Sequence, residues 1–168
     1  MAIGTFGRTA AAIVGGLLAW SLLLPAASAA TISFISNHYS AERFVPHFHY
    51  EGPVLPGDAD ALAGMIDQIV ECDIQTLPPE GGNCAVLTMH SPGGNYIEGL
   101  KLAQMMRDRA ITTVVESWAE CYSACAFAFL GGTGYSSQNG VGAYGDRIVE
   151  PMGILGFHAP YFASEDLE

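Results

Sequence analysis

The chain has 168 residues, half of them hydrophobic, and six Lys and Arg stand against seventeen Asp and Glu for a formal net charge of −11. That length holds one domain. The acidic balance, with no Lys/Arg stripe interleaved with aromatics, argues against nucleic-acid binding, because such a field repels phosphate backbones.

The first residues read as a secretory signal. Arg8 supplies a positive n-region, Ala10 to Leu24 is nearly all apolar, and Pro25 precedes the small-x-small site Ala27-Ser28-Ala29. Cleavage after Ala29 predicts a periplasmic or secreted protein. The alternative is a retained membrane anchor, against which the apolar stretch falls short of the roughly 20 residues a spanning helix needs. Only in that case would the chain associate with a membrane. The remaining chain, about 140 residues, suffices for a sizeable core, and loss of Arg8 makes it one charge more acidic.

From Thr31 to Tyr50 the chain is polar and aromatic without helical period, and "RFVPHFHYEG" predicts one short strand near an edge because Pro46 cannot donate to a ladder. We read 30–47 as an N-terminal extension and 48–168 as the folded domain. After the turn "GPVLPGD", Leu62, Met65, Ile66, Ile69 and Val70 recur at helical spacing, with Asp58 and Asp60 at the positive end of the helix.

"CAVLTMH" reads as a buried strand that stops at "SPGG". A second helix follows, with Asn95 and Glu98 as a capping pair and Lys101, Gln104 and Asp108 on a solvent stripe opposite Leu102, Ala103 and Met106. "ITTVVE" reads as a strand, and "CYSACAFAFLGG" as a buried helix ended by Gly131 or Gly132. Residues 131–153 form a glycine-rich connection with a strand hidden around Val141 to Tyr144, and "ILGFHAP" resumes a strand pattern. Alternating strands and helices predict an α/β domain with parallel pairing. The end soon after His158 leaves no closing βα unit, as in a fragment or a truncated relative.

Four cysteines in an exported chain point to disulfides, and four allow three pairings. Cys72 and Cys84 flank the loop "DIQTLPPEGGN" and form the natural local clasp. On one regular helix Cys121 and Cys125 would hold their Cβ atoms about 5 to 6 Å apart, beyond the roughly 3.5 to 4.5 Å of a disulfide. They can bond only if Cys121 precedes the helix in a turn; two buried thiols are the other reading. No zinc spacing is present. His47 and His49 share one strand face with His38 nearby, but no Asp or Cys completes a ligand set, so no metal and no cofactor is expected.

Acyl transfer needs a nucleophile, a base and donors for an oxyanion. Ser123 would sit at the start of a buried helix, where the N–H of Ala124 points at developing negative charge. Gly93 or Gly94 of "SPGG" offers a second unshielded N–H, and one such donor is worth about 2.7 to 4 kcal/mol in the barrier. His158 is the candidate base. His90 beside "SPGG" either borders the cleft or is a polar strand end. Trp118 and Tyr122 near the serine either pack or line a pocket.

"SPGGNYIEGLKLAQMM", "CYSACAFAFLGG" and "GFHAP" together resemble the ClpP family of serine peptidases and its exported relatives, which share the crotonase-like fold with signal peptide peptidase A. "HYEGPVLPGDADAL" also looks like that family's first strand, glycine turn and first helix, so the likeness spans roughly Phe48 to Tyr161. The resemblance implies a ClpP/crotonase-like α/β fold of repeated ββα or βα units. It implies Ser123 as nucleophile, His158 as base, Gly93 or Gly94 with Ala124 as oxyanion donors, peptide or protein substrates and a homo-oligomer. Two departures stand out: the connection before "GFHAP" is longer than the family's, and Glu165, Asp166 and Glu168 lie too close to His158 to be assigned as its acidic partner. Without that partner serine proteases lose about 10⁴ in turnover, so a non-catalytic binding or scaffold module is the rival reading. A crotonase-type acyl-thioester enzyme fits less well, since that chemistry is cytosolic.

Overall fold

The computed structural model describes residues 30–40 and 43–159. The signal segment, and with it the cleavage site, lies outside them, as do Glu165, Asp166 and Glu168. Among the described residues no helix is long and apolar enough to cross a membrane.

A five-stranded mixed sheet forms the frame. Its strands are β1 (Thr31–Ser40), β2 (Arg43–Glu51), β3 (Ala85–His90), β4 (Ile111–Val115) and β8 (Arg147–Val149), side by side in the order β1-β2-β3-β4-β8. Only β1 runs antiparallel to its neighbour; the other three pairings are parallel. Two smaller pairs complete the strands: β5 (Glu120–Tyr122) lies parallel to β9 (Ile154–Gly156), and β6 (Thr133–Ser136) antiparallel to β7 (Gly142–Gly145). Among the described residues the α-helices are α1 (Asp58–Ile69), α2 (Tyr96–Asp108) and α3 (Ala124–Phe129). The expected mixed α/β class with parallel pairing is present.

Period-two alternation decides which face of the sheet is dry. Phe48 and Tyr50 of β2, Ala85, Leu87 and Met89 of β3, and Ile111 and Val115 of β4 point one way. There they meet Leu62 and Ile66 of α1, Leu102 and Met106 of α2, and Ala124, Cys125, Ala128 and Phe129 of α3 in one core. The other face is polar and aliphatic, with His47, Val86, Thr88, Thr112 and Ile148 lining a shallow cavity of about 360 Å³. His49 stays on this face, its Nδ1 2.7 Å from Thr88 Oγ1. No group of three metal-ligating side chains forms among the described residues.

Three expectations are corrected. The polar start of the domain is a strand, β1, and it occupies the edge. The strand containing Pro46 lies inside it, and Pro46 is tolerated because its pairing with β3 begins only at His47. "CYSACAFAFLGG" is not one helix, since β5 carries Cys121 and Tyr122 and α3 begins at Ala124. The glycine-rich connection holds the strand expected near Tyr144, β7, and two more, β6 and β8.

Both disulfides are formed. Cys72 and Cys84 close the Pro/Gly loop before β3 with a Cα separation of 5.6 Å. Cys121 and Cys125 are joined at 5.2 Å between Cα atoms, by the route open to them, because Cys121 is on a strand ahead of the helix. Two disulfides fit an oxidising, non-cytoplasmic compartment.

A buried polar knot fixes the connection after β2. Tyr50 donates its hydroxyl to Asp58 Oδ2 at 2.6 Å, and Leu55 N–H donates to the same oxygen at 2.7 Å. Burial, then the Asp58 hydrogen bond and the charges of Asp58 and Glu98, push the Tyr50 phenol far above its usual range, so it stays protonated. Glu98 of α2, 2 % exposed, accepts from Ala59 N–H at 2.9 Å and pairs with Lys101 at 3.2 Å. Burial would raise the Glu98 carboxyl; the N–H groups of Ala59 and Gly57 and the Lys101 ammonium outweigh it and hold the group below the usual carboxylate range.

Candidate active site

In parallel sheets, sites collect where strands hand over to helices at their carboxyl ends. Three segments converge at that end of β3. The first is the "SPGG" turn. Ser91 N–H donates to Glu120 O at 2.7 Å and Tyr122 N–H donates to Ser91 O at 3.0 Å, so β5 lies against the end of β3. His90 is part of the same seam, its Nδ1 accepting Glu120 N–H at 3.0 Å, which makes it a structural strand-end residue in this geometry.

Ser123 occupies the junction between β5 and α3 with φ 54° and ψ −121°. That conformation costs a non-glycine residue about 1 to 3 kcal/mol and persists only where the surroundings impose it. Its N–H donates to Gly156 O at 2.9 Å, and its carbonyl accepts Phe127 N–H at 3.1 Å to open the helix. A serine that only started a helix would turn its oxygen onto the N–H groups of the first turn. Ser123 makes no such side-chain cap. The side chain is thus held in a strained position without being used to hold the fold, as at the nucleophile elbow of serine hydrolases.

Gly93 lies against this elbow. With φ 91°, a Cβ on it would stand 2.5 Å from Tyr122 O, 2.6 Å from Ser123 Cβ and 3.2 Å from Ala124 N. Only hydrogen fits between the two turns. Gly93 N–H is taken by Ser91 Oγ at 3.1 Å. Gly94 (φ 151°) is wedged against the Val54 backbone, where Val54 N–H donates to Gly93 O at 2.9 Å and Asn95 N–H to Val54 O at 2.8 Å. Asn95 then caps α2, accepting Glu98 N–H at 2.8 Å. The reciprocal half of the expected capping pair is absent because the Glu98 carboxylate is committed to Ala59 and Lys101. Of the two glycines, Gly94 is the one whose N–H has no hydrogen-bond acceptor among the described residues.

The third segment is the end of β9. Its parallel pairing sets Gly156 beside Tyr122, whose ring covers the glycine so closely that a Cβ there would stand 2.2 Å from Cδ1. His158 follows two residues on, at the surface, with Nδ1 2.9 Å from Ala159 O. A carbonyl only accepts, so in this bond Nδ1 carries the proton.

The sequence reading missed a ring cluster that links all three segments. Phe127 of α3 meets Tyr96 edge-on at 5.1 Å on one side and Phe157 edge-on at 5.6 Å on the other. The signal was adjacency, since Tyr96 follows "SPGGN" and Phe157 precedes His158. Ser91 was also missed. Trp118 stands 76 % exposed with a left-handed φ of 71° and does not pack as expected.

Compared with models of protein families, with curated proteins and with solved structures, the chain matches none.

Proposed function

We propose that the protein is an exported serine hydrolase, a peptidase of the ClpP-like kind in a crotonase-like fold, acting on short or loosely folded peptides. The observation that carries this reading is Ser123 itself, strained at a strand-to-helix elbow with its side chain unused for capping. In the proposed reaction Ser123 Oγ attacks the scissile carbonyl carbon while Nε2 of His158 takes the hydroxyl proton. The oxyanion is held by the N–H groups of Ala124 and Gly94, each worth about 2.7 to 4 kcal/mol in the barrier. As the C–N bond breaks, His158 returns the proton to the leaving amine. Water, deprotonated by the same imidazole, then releases the acyl group from Ser123.

A second reading has its own observation. His158 stands exposed at the end of β9, and a surface imidazole that does not reach Ser123 would leave a non-catalytic binding module. Labelling of the mature protein with a fluorophosphonate separates the two. Native protein is expected to label at Ser123, and Ser123→Ala to remain unlabelled. Absence of labelling, or equal labelling of both, would sink the hydrolase reading. Assembly into a homo-oligomer belongs to the same proposal and is read by light scattering.

A further inference from the structure

We propose that the Cys121–Cys125 disulfide is the positioning device of the nucleophile, a permanent covalent clasp that holds Ser123 in its strained conformation. The inference rests on the hydrolase reading. The bridge joins the middle residue of β5 to the second residue of α3, with Ser123 midway between its two ends. Closing a ring around Tyr122, Ser123 and Ala124 restricts the backbone torsions of those residues, which include the one outlier the site needs.

Few hydrogen bonds hold Ser123 itself in that conformation. At six residues α3 is too short to persist by its own hydrogen bonds. The Ser123 side chain does not cap it, and the backbone of Ser123 contributes one bond to Gly156 and one to Phe127. Gly93 blocks the space on one side but binds no atom of Ser123. A relaxed φ would swing Oγ away from the N–H of Ala124, and a displacement of about 1 Å at a reacting atom can lower the rate about 10²-fold.

The clasp is not a switch. Cys121 and Cys125 are both 0 % exposed, so no attacking thiolate reaches either sulfur while the domain is folded. The other disulfide provides a built-in comparison. Cys72–Cys84 lies at the opposite end of β3, packed with Leu77 and Ala110, and touches none of the three segments of the site.

The test uses the full mature chain and two paired variants. Cys121→Val with Cys125→Ala removes the clasp while keeping a strand former on β5 and a helix former on α3; Cys72→Ala with Cys84→Ala removes the comparison bridge. Each is melted, then phosphonylated below its melting temperature to obtain the maximal inactivation rate and the reagent's binding constant separately. The expected result is that the first pair lowers the maximal rate about 10²-fold with the binding constant unchanged, and that the second lowers only the melting temperature. Equal maximal rates in native protein and the first pair would overturn the clasp while leaving the hydrolase reading intact. If native protein does not label, the hydrolase reading falls and the clasp with it. Should the first pair not fold, amide exchange in native protein decides: Ser123 N–H is expected to exchange only with global unfolding, and exchange by local opening with the disulfide intact would overturn the proposal.

Discussion

Ser123 could in principle have been glycine. Glycine reaches φ 54° without steric penalty, so the fold would gain from it, and on the proposed hydrolase reading the retained side chain marks a position where stability and chemistry pull apart. The consequence is measurable without any substrate. Ser123→Gly should unfold at a higher temperature than Ser123→Ala, by up to about 1 kcal/mol in stability, while neither labels with a fluorophosphonate. If the glycine variant proves the less stable of the two, the strain at this residue is not real. The sequence made Ser123 legible as a candidate but not its conformation, because φ at a single residue leaves no trace in composition or spacing. The cysteines on either side did leave one. Their spacing forbids a bond within a regular helix, so the disulfide and the break in secondary structure at Tyr122 are the same fact seen twice.

At the scale of elements, what the sequence showed clearly were the segments whose apolar residues keep a period. α1 buries Leu62 and Ile66, and α2 buries Leu102 and Met106, as their spacing requires. The glycine-rich hairpin kept no such period. In β6 and β7 Gly134 pairs with Tyr144, and the tyrosine ring lies over the glycine so closely that a Cβ would stand 2.5 Å from it. An aromatic covering a glycine across strands stabilises a hairpin that alternation cannot detect. Capping read correctly at Asn95 and incompletely at Glu98, whose carboxylate leaves its own helix to bind the start of α1. That inter-helix cap sets a pH dependence. The folded-state pKa of Glu98 is depressed, so its contribution is fully present above the usual carboxylate pKa and is lost as pH falls through the folded value. Glu98→Gln should therefore cost about 1.5 to 3 kcal/mol near pH 7, and the gap to native protein should close in acid. Urea titrations at pH 7 and in acid read both numbers, and a gap that persists in acid would rule the carboxylate out as its source.

Over the whole molecule, the α/β class with parallel pairing and the local Cys72–Cys84 clasp followed from the sequence. The assembly of the site did not, because it depends on register: β9 must pair with β5 in the alignment that brings Gly156 to Ser123 N–H. Pairings between strands remote in sequence are written in backbone geometry, which single residues encode weakly. The two disulfides also divide the labour of the fold. Cys72–Cys84 joins residues 12 apart in sequence and acts mainly on the unfolded chain, so its removal should cost about 2 to 4 kcal/mol. Denaturant midpoints of the Cys72→Ala/Cys84→Ala variant check this, and a change below about 1 kcal/mol would mean that the loop is already held by its own turns.

The two helices that carry the halves of the site touch backbone to backbone at two points, beside the Tyr96–Phe127 ring contact. A Cβ on Gly99 would stand 2.5 Å from Ala124 O, and one on Gly131 would stand 2.2 Å from Ala103 O. Backbones in direct contact have no rotamers to exchange, so α2 and α3 lack the soft layer through which packed helices usually slide on microsecond timescales. On the proposed hydrolase reading, the glycine turn that opens α2 and the serine that opens α3 should then keep their separation when the site is filled, leaving the exposed strand end that bears His158 to adjust.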